Sequence, residues 1–200
     1  MKFKLLVVLF ITMAVSLSAQ RYMTILSYNT ALPMGKTGDF VSEYSWRGFA
    51  IEGRRFVQKN LSIGINFGWN IFDEKNGETI ELDNGAVSGT QIRYLNVFPI
   101  MVNAHYYFGD KRSFRGFLGV NVGTYAINQR FDIGIWTINN DNWHFGVAPE
   151  IGILIPAGRQ MAVTLSVKYN YALSAGAALD GSDSNDHSYL GINLGLAFDY

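Results

Sequence analysis

Tyr189-Leu190-Gly191-Ile192-Asn193-Leu194-Gly195-Leu196-Ala197-Phe198-Asp199-Tyr200 closes the chain and decides its fold. Leu190, Ile192, Leu194, Leu196, Phe198 and Tyr200 occupy one side of an extended strand, and Gly191, Asn193, Gly195, Ala197 and Asp199 occupy the other. One face is bulky and aliphatic with aromatics at its end; the opposite face is small or polar. An ordinary half-buried strand would hide its greasy face in a core. Here similar segments recur down the chain, with no spare helices or second sheet to cover them. The pattern fits a wall between lipid and a narrow polar interior.

Working outward, seven further strands are expected near 22–31, 45–56, 61–72, 92–108, 115–127, 143–155 and 161–173, with the last at 189–200. Leu61, Ile63, Ile65, Phe67, Trp69 and Ile71 alternate with Ser62, Gly64, Asn66, Gly68 and Asn70. Met161, Val163, Leu165, Val167, Tyr169 and Tyr171 alternate with Ala162, Thr164, Ser166, Lys168 and Asn170. The connections alternate too: long near 32–44, 73–91, 128–142 and 174–188, short near 57–60, 109–114 and 156–160. Long loops of outer-membrane barrels face outside and short turns face the periplasm. The expected fold is therefore all-β, an eight-stranded antiparallel up-and-down transmembrane β-barrel.

Aromatics give a test independent of alternation, because amphipathic rings collect at the two headgroup levels. Tyr28, Phe67, Trp69, Trp143, Phe145, Tyr169 and Tyr171 fall toward the long-loop rim. Tyr106, Phe108, Phe114, Phe198 and Tyr200 fall toward the short-turn rim, with aliphatics such as Ile63, Val120, Leu165 and Leu194 between. Pro99 and Pro149 interrupt two strands, and a bulge at either would flip the side chains beyond it.

Lys2 and Lys4 precede an apolar run from Leu5 to Val15 and then Ser16-Leu17-Ser18-Ala19-Gln20. This reads as a secretory signal peptide over residues 1–19, cut after Ala19 or alternatively after Ser18, leaving a barrel domain at 20–200. The run is about half the roughly 20 residues of a spanning helix. No cysteine is present to form disulfides, thiolate metal sites or a lipid anchor. Removing Lys2 and Lys4 leaves 14 basic against 16 acidic residues, a balance unsuited to nucleic acid. Twenty-one Gly, 11 Tyr and 14 Phe favour tightly packed sheets, and a mean hydropathy of +0.08 is what alternating strands average to.

Phe98-Pro99-Ile100-Met101-Val102-Asn103-Ala104-His105-Tyr106-Tyr107-Phe108, the Gly116 to Gly123 strand, Gly146-Val147-Ala148-Pro149-Glu150-Ile151-Gly152 and the C-terminal aromatic carry a family likeness. On them the mature chain resembles the small eight-stranded outer-membrane barrels, the OmpA-like and OmpX-like group. The resemblance implies residence in a Gram-negative outer membrane, among its lipid and lipopolysaccharide. It also implies insertion by the barrel-assembly machinery, with Phe198 and Tyr200 as the assembly signal. The chain stops at the barrel, so the peptidoglycan-binding domain that follows it in OmpA itself is not expected.

Eight strands enclose little more than side-chain volume. The expected interior polar network is Glu52, Arg54, His105, His144, Glu150, Lys168 and Asp199, with Asn66, Asn103, Asn121, Asn170 and Asn193 among them. A turn pairing Ile155 with Met161 would put Glu150 opposite Ser166 and diagonal to Lys168, so an ion pair is expected. The plain reading is a satisfied polar plug; the sharper one is a narrow path for ions or small solutes.

Asp186-His187-Ser188, or His144 with Ser166 or Glu150, would be the sets for a lipid A-modifying enzyme, but neither matches the His-x-Ser-Asn run of lipid A deacylases. Asp73, Glu74, Glu78, Glu81 and Asp83, and Asp180, Asp183 and Asp186, are loop oxygens that could hold Ca²⁺ or bridge lipopolysaccharide, without the order of a calcium loop. Phe131, Ile133, Ile135 and Trp136 form an apolar loop, suited to a hairpin above the membrane or to docking. A secreted lipocalin-like barrel is the soluble alternative, and it would need the greasy faces inward. The reading reached is a non-enzymatic outer-membrane barrel without metal or cofactor, with a structural or adhesive role through its extracellular loops on a ligand not named by the sequence, and transport of small solutes as the second reading.

Overall fold

A strand buried in hydrocarbon has no water to take its backbone polar groups, so a sheet can span a membrane only by closing on itself. The computed structural model describes residues 21–76, 79–82, 85–88, 91–110, 113–133, 136–176 and 185–199, without the side chains of 76–90 and 199. The expected signal peptide at 1–19 and Tyr200 lie outside the described residues.

The elements are β1 (Tyr22–Met34), α1 (Gly35–Phe40), β2 (Arg47–Gln58), β3 (Leu61–Asn76), β4 (Thr79–Leu82), β5 (Gly85–Ser88), β6 (Gln91–Phe108), β7 (Arg115–Ile133), β8 (Trp136–Pro156), β9 (Met161–Ala172) and β10 (His187–Asp199). Eight strands form one closed antiparallel barrel in the order β1-β10-β9-β8-β7-β6-β3-β2, and β4–β5 is a separate hairpin in the second long connection. The seam pairs β1 with β10 from Met23↔Asp199 to Met34↔Ser188. All eight expected strands are present.

Leu165 and Leu194 face outward, whereas Asn66, Glu150 and Lys168 are buried inside. That polarity inverts a soluble barrel and removes the lipocalin alternative. Aromatics sort as expected: Phe49 packs edge-on against Trp69, which stacks on Phe98 at 5.5 Å, while Tyr106 and Phe108 meet at 5.1 Å near the other rim.

Neither proline flips the side chains. Phe67↔Ile100 and Asn70↔Val97 keep one register across the gap at Pro99, and Gly146↔Ala172 and Glu150↔Lys168 do so across Pro149. Each strand simply forgoes the pairs that the missing N–H would have joined. Pro99 points inward, where a Cβ on Gly68 would sit 2.9 Å from its Cγ. Glycine is thus required by the ring across the gap.

Two expectations are corrected. The turn 157–160 pairs Ile155 with Val163 rather than Met161, because β8 continues to Pro156 and Ala157 N–H bonds to Met161 O. The third long connection takes the hairpin form its apolar residues suited, since Phe131↔Ile138 and Ile133↔Trp136 extend the β7–β8 ladder beyond the barrel. The interior is not lined by small and polar groups alone. Phe72, Leu95, Val97, Tyr125, Ile127 and Tyr189 form an apolar layer toward the long loops, and Met23, Ile25, Tyr107, Phe117 and Leu154 form another toward the short turns. Eight strands need such volume to fill the lumen.

Gly68→Val is expected to destabilise the folded barrel by about 1–3 kcal/mol through overpacking against Pro99. Adding Pro99→Ala should recover most of that loss, measured by urea unfolding in micelles.

Candidate functional site

Glu52 and Arg54 are two residues apart on β2 and therefore share its inner face. Arg54 Nε and Nη2 donate to the two Glu52 oxygens at 2.6 and 3.0 Å, and Nη1 donates to the Tyr107 hydroxyl at 2.9 Å. Asn103 and Asn66 add donors to Glu52 at 2.7 and 3.4 Å. Across the lumen, Glu150 stands directly opposite Lys168, with Nζ 3.4 Å from Oε2. The expected ion pair forms, in direct rather than diagonal register.

His105 Nε2 lies 3.0 Å from the same Glu150 oxygen, and Arg54 Nη2 lies 3.7 Å from the other. A carboxylate only accepts, so Nε2 is the protonated nitrogen; Nδ1 is buried without a hydrogen bond, 3.9 Å from Glu52 Oε1. Two carboxylates thus face two cations and one imidazole, joined by Asn121, which donates to Glu150 at 3.3 Å. Beside this cluster is a cavity of about 30 Å³ that touches Asn29, Asn66, Asn70 and Ser166. It has room for about two water molecules, with apolar layers above and below.

His144 is inward and buried but stands apart from this network. Its Nδ1 bonds to Leu173 O at 2.9 Å, and its ring packs edge-on against His187 at 5.2 Å. Asp199 pairs by backbone with Met23, and its side chain lies outside the described residues. Phe198 pairs with Thr24 and Met161 near the short-turn rim.

At the long-loop end the first connection folds into the mouth, a placement that alternation within strands does not reveal. Thr37 and Val41 are fully buried, and Val41 joins the upper apolar layer. Thr37 Oγ1 accepts from Ser188 N–H at 3.0 Å and meets His187 Nδ1 at 3.3 Å, while Asn185 holds the other ring nitrogen. Arg93 bonds to Phe40 O at 3.1 Å, and Lys36 pairs with Asp186 at 3.7 Å. The Asp186-His187-Ser188 set therefore does not assemble: Ser188 Oγ donates to Met34 O, and His187 serves the buried threonine. Nor does His144 meet Ser166, whose hydroxyl accepts from Asn193, or Glu150, whose imidazole partner is His105.

The β7–β8 hairpin rises beyond the aromatic rim. Its barrel-side face carries Phe131, Ile133, Trp136 and Ile138, and Trp136 is 74 % exposed. Its other face holds Arg130 and Asp132, whose carboxyl is kept below the ordinary range by hydrogen bonds from Arg130 and Thr137. That tie is present above the ordinary carboxylate range and is lost as the pH falls through the lowered value. β8 pairs with β9 only from Gly146 onward. Among the described residues, its stretch from Trp136 to His144 pairs on the β7 side alone. Of the loop acids, Asp73 binds Arg47 and Glu74 holds Ser42; Glu78, Asp83, Asp180 and Asp183 lie outside the described residues, as do the Glu81 side chain and, in the apolar hairpin, Ile135. No acidic or histidine cluster able to hold a metal occurs among the described residues.

The two ends differ in charge. Segments 32–47, 73–93, 128–142 and 174–188 carry five Lys and Arg against twelve Asp and Glu. Segments 20–22, 55–60, 109–115 and 156–160 with Asp199 carry seven against two.

Removing either Glu150 or Lys168 strands the other charge inside the barrel. Glu150→Ala and Lys168→Ala should each cost about 3–5 kcal/mol, and the double variant clearly less than the sum. Unfolding midpoints followed by heat-modifiable gel migration would measure the cycle.

No family profile and no curated protein matches the chain. Solved structures do. Neisserial surface protein A superposes with a TM-score of 0.56 at 13% identity, covering 92% of this chain and 98% of that one. Ail, the attachment invasion locus protein of Yersinia pestis, in complex with the heparin analogue sucrose octasulfate, gives 0.55 at 10% identity over 90% and 98%. The outer membrane protein OprG of Pseudomonas aeruginosa gives 0.53 at 10% identity over 91% and 96%. At these identities the likeness is one of fold: the chain has the fold of the small eight-stranded outer-membrane β-barrels.

Proposed function

We propose that this chain is an exported, integral outer-membrane protein, without enzymatic activity, that docks an extended segment of an extracellular protein on its β7–β8 wall. The observation that carries this reading is the edge of β8 from Trp136 to Asp141, which meets no second strand among the described residues, beside the exposed apolar face of Trp136 and Ile138. An unpaired strand edge accepts another chain by backbone hydrogen bonds, and alternate side chains supply selectivity. Placement in the membrane is supported by the outward aliphatics, the aromatic rims and the fold shared with outer-membrane barrels.

One structural neighbour is described in complex with a heparin analogue. Twelve acidic against five basic residues at the long-loop end of this chain disfavour a sulfated polyanion and favour a neutral or basic polypeptide. The same acidic loops suit divalent-cation bridges to lipopolysaccharide. Phe198 and Tyr200 would serve the barrel-assembly machinery. The absence of enzymatic activity is supported by the imidazoles and hydroxyls proposed for catalysis, which bond to structural partners inside the wall.

Cells displaying the wild type should adhere to immobilised serum and matrix proteins. Ile138→Lys and Trp136→Ala should lower adhesion about tenfold with surface level and heat-modifiable migration unchanged. Undiminished adhesion by both variants would remove the proposal.

A further inference from the structure

The lipid-facing series of the eight barrel strands carries no charge between its aromatic rims, with one exception among the described residues: Arg55 on β2. A cation there is costly near the bilayer midplane and tolerable only close to an interface. Arg55 stands three residues before the end of β2, roughly 10 Å from the short-turn rim at about 3.3 Å per residue, within snorkelling reach of headgroups. Its side chain makes no hydrogen bond or ion pair with any described residue, and its Nε is buried without a hydrogen bond.

Directly beside it the outer wall is hollow. Gly53 faces lipid, and a Cβ built on it meets nothing within 4 Å. Gly53 pairs with Thr24, and Ala104 lies across β3 from Arg55, both opposite Ile63, so three small side chains share one stretch of wall. Tyr22 and Val102 flank the resulting apolar groove, which has a volume of about 950 Å³. Small-ligand sites run from about 300 to 1,000 Å³. The groove opens onto the end of the barrel where basic residues outnumber acidic ones seven to two.

We infer that this groove seats one phospholipid of the periplasm-facing leaflet, with an acyl chain along Thr24, Gly53 and Ala104 and the phosphate on the Arg55 guanidinium. The occupant follows from three matched properties. Apolar concavity suits a chain rather than a headgroup, the free guanidinium suits a phosphate, and the basic short-turn end suits the phospholipid leaflet rather than lipopolysaccharide. The site is independent of the proposed docking edge, which lies at the opposite end of the barrel.

The test is native mass spectrometry of the refolded protein in micelles containing palmitoyl-oleoyl phosphatidylglycerol, comparing wild type with Gly53→Leu, Arg55→Gln and Arg55→Lys. The expected result is one retained lipid on the wild type, about fivefold less on Arg55→Gln, intermediate retention on Arg55→Lys and none above background on Gly53→Leu, with heat-modifiable migration the same for all. Equal retention by all four proteins would overturn the inference, as would a lipid-free wild type. A wild-type dimer dissolved by Gly53→Leu would also overturn it, by assigning the groove to a second copy. Should Gly53→Leu fail to fold, the ratio of Arg55→Gln to wild type decides alone.

Discussion

Every backbone N–H and C=O in the hydrocarbon layer must find its partner within the chain, and the β1–β10 seam is where that requirement is met. A sheet left open there would expose two rows of unpaired groups to lipid. Other features follow from keeping the ladder closed. Pro99 and Pro149 are tolerated because each interrupts pairing on one side only while the other side runs unbroken. Gly68 is small because the Pro99 ring occupies the space in front of it.

Closure also fixes how much room is inside, and that room is filled in layers. A charge-neutral cluster of Glu52, Arg54, Glu150 and Lys168 lies between two apolar layers that separate it from bulk solvent at either end. Low local dielectric strengthens each pairing and raises the cost of breaking one, so the cluster is rigid as long as it is complete. Tyr107 links the layers: its ring packs on Phe117 and Arg115 while its hydroxyl accepts from Arg54. The upper layer is completed by Val41 from the first connection, which makes the mouth a folded cap held by Thr37, Arg93 and Ser188.

The barrel is polar along its axis as well as across its wall. Acidic connections and a tall β7–β8 hairpin mark one end; a basic collar and tight turns mark the other. The ends therefore differ in chemistry: an apolar hairpin face whose β8 edge meets no second strand among the described residues at the acidic end, and an excess of basic residues in the sequence at the other. The outward series needs few features to achieve this, because a single Arg or Gly in an aliphatic wall changes what that wall can hold.

Alternation along each segment determined the two faces of every strand, their number, the rim aromatics and the inward placement of Glu52, Arg54, His105, His144, Glu150 and Lys168. Period two is a local property and survives any error in register. Which inward residues meet was decided only by the tertiary structure. The two-residue difference at the Pro156 turn brought Lys168 squarely opposite Glu150, and His144 sits well above the charges it was grouped with. The apolar layers and the cap likewise escaped the reading, because Leu95, Tyr125 and Val41 look like any other hydrophobes until the sheet closes. The height of a residue in the lumen depends on the stagger of eight strands around a ring, and no single strand carries that information.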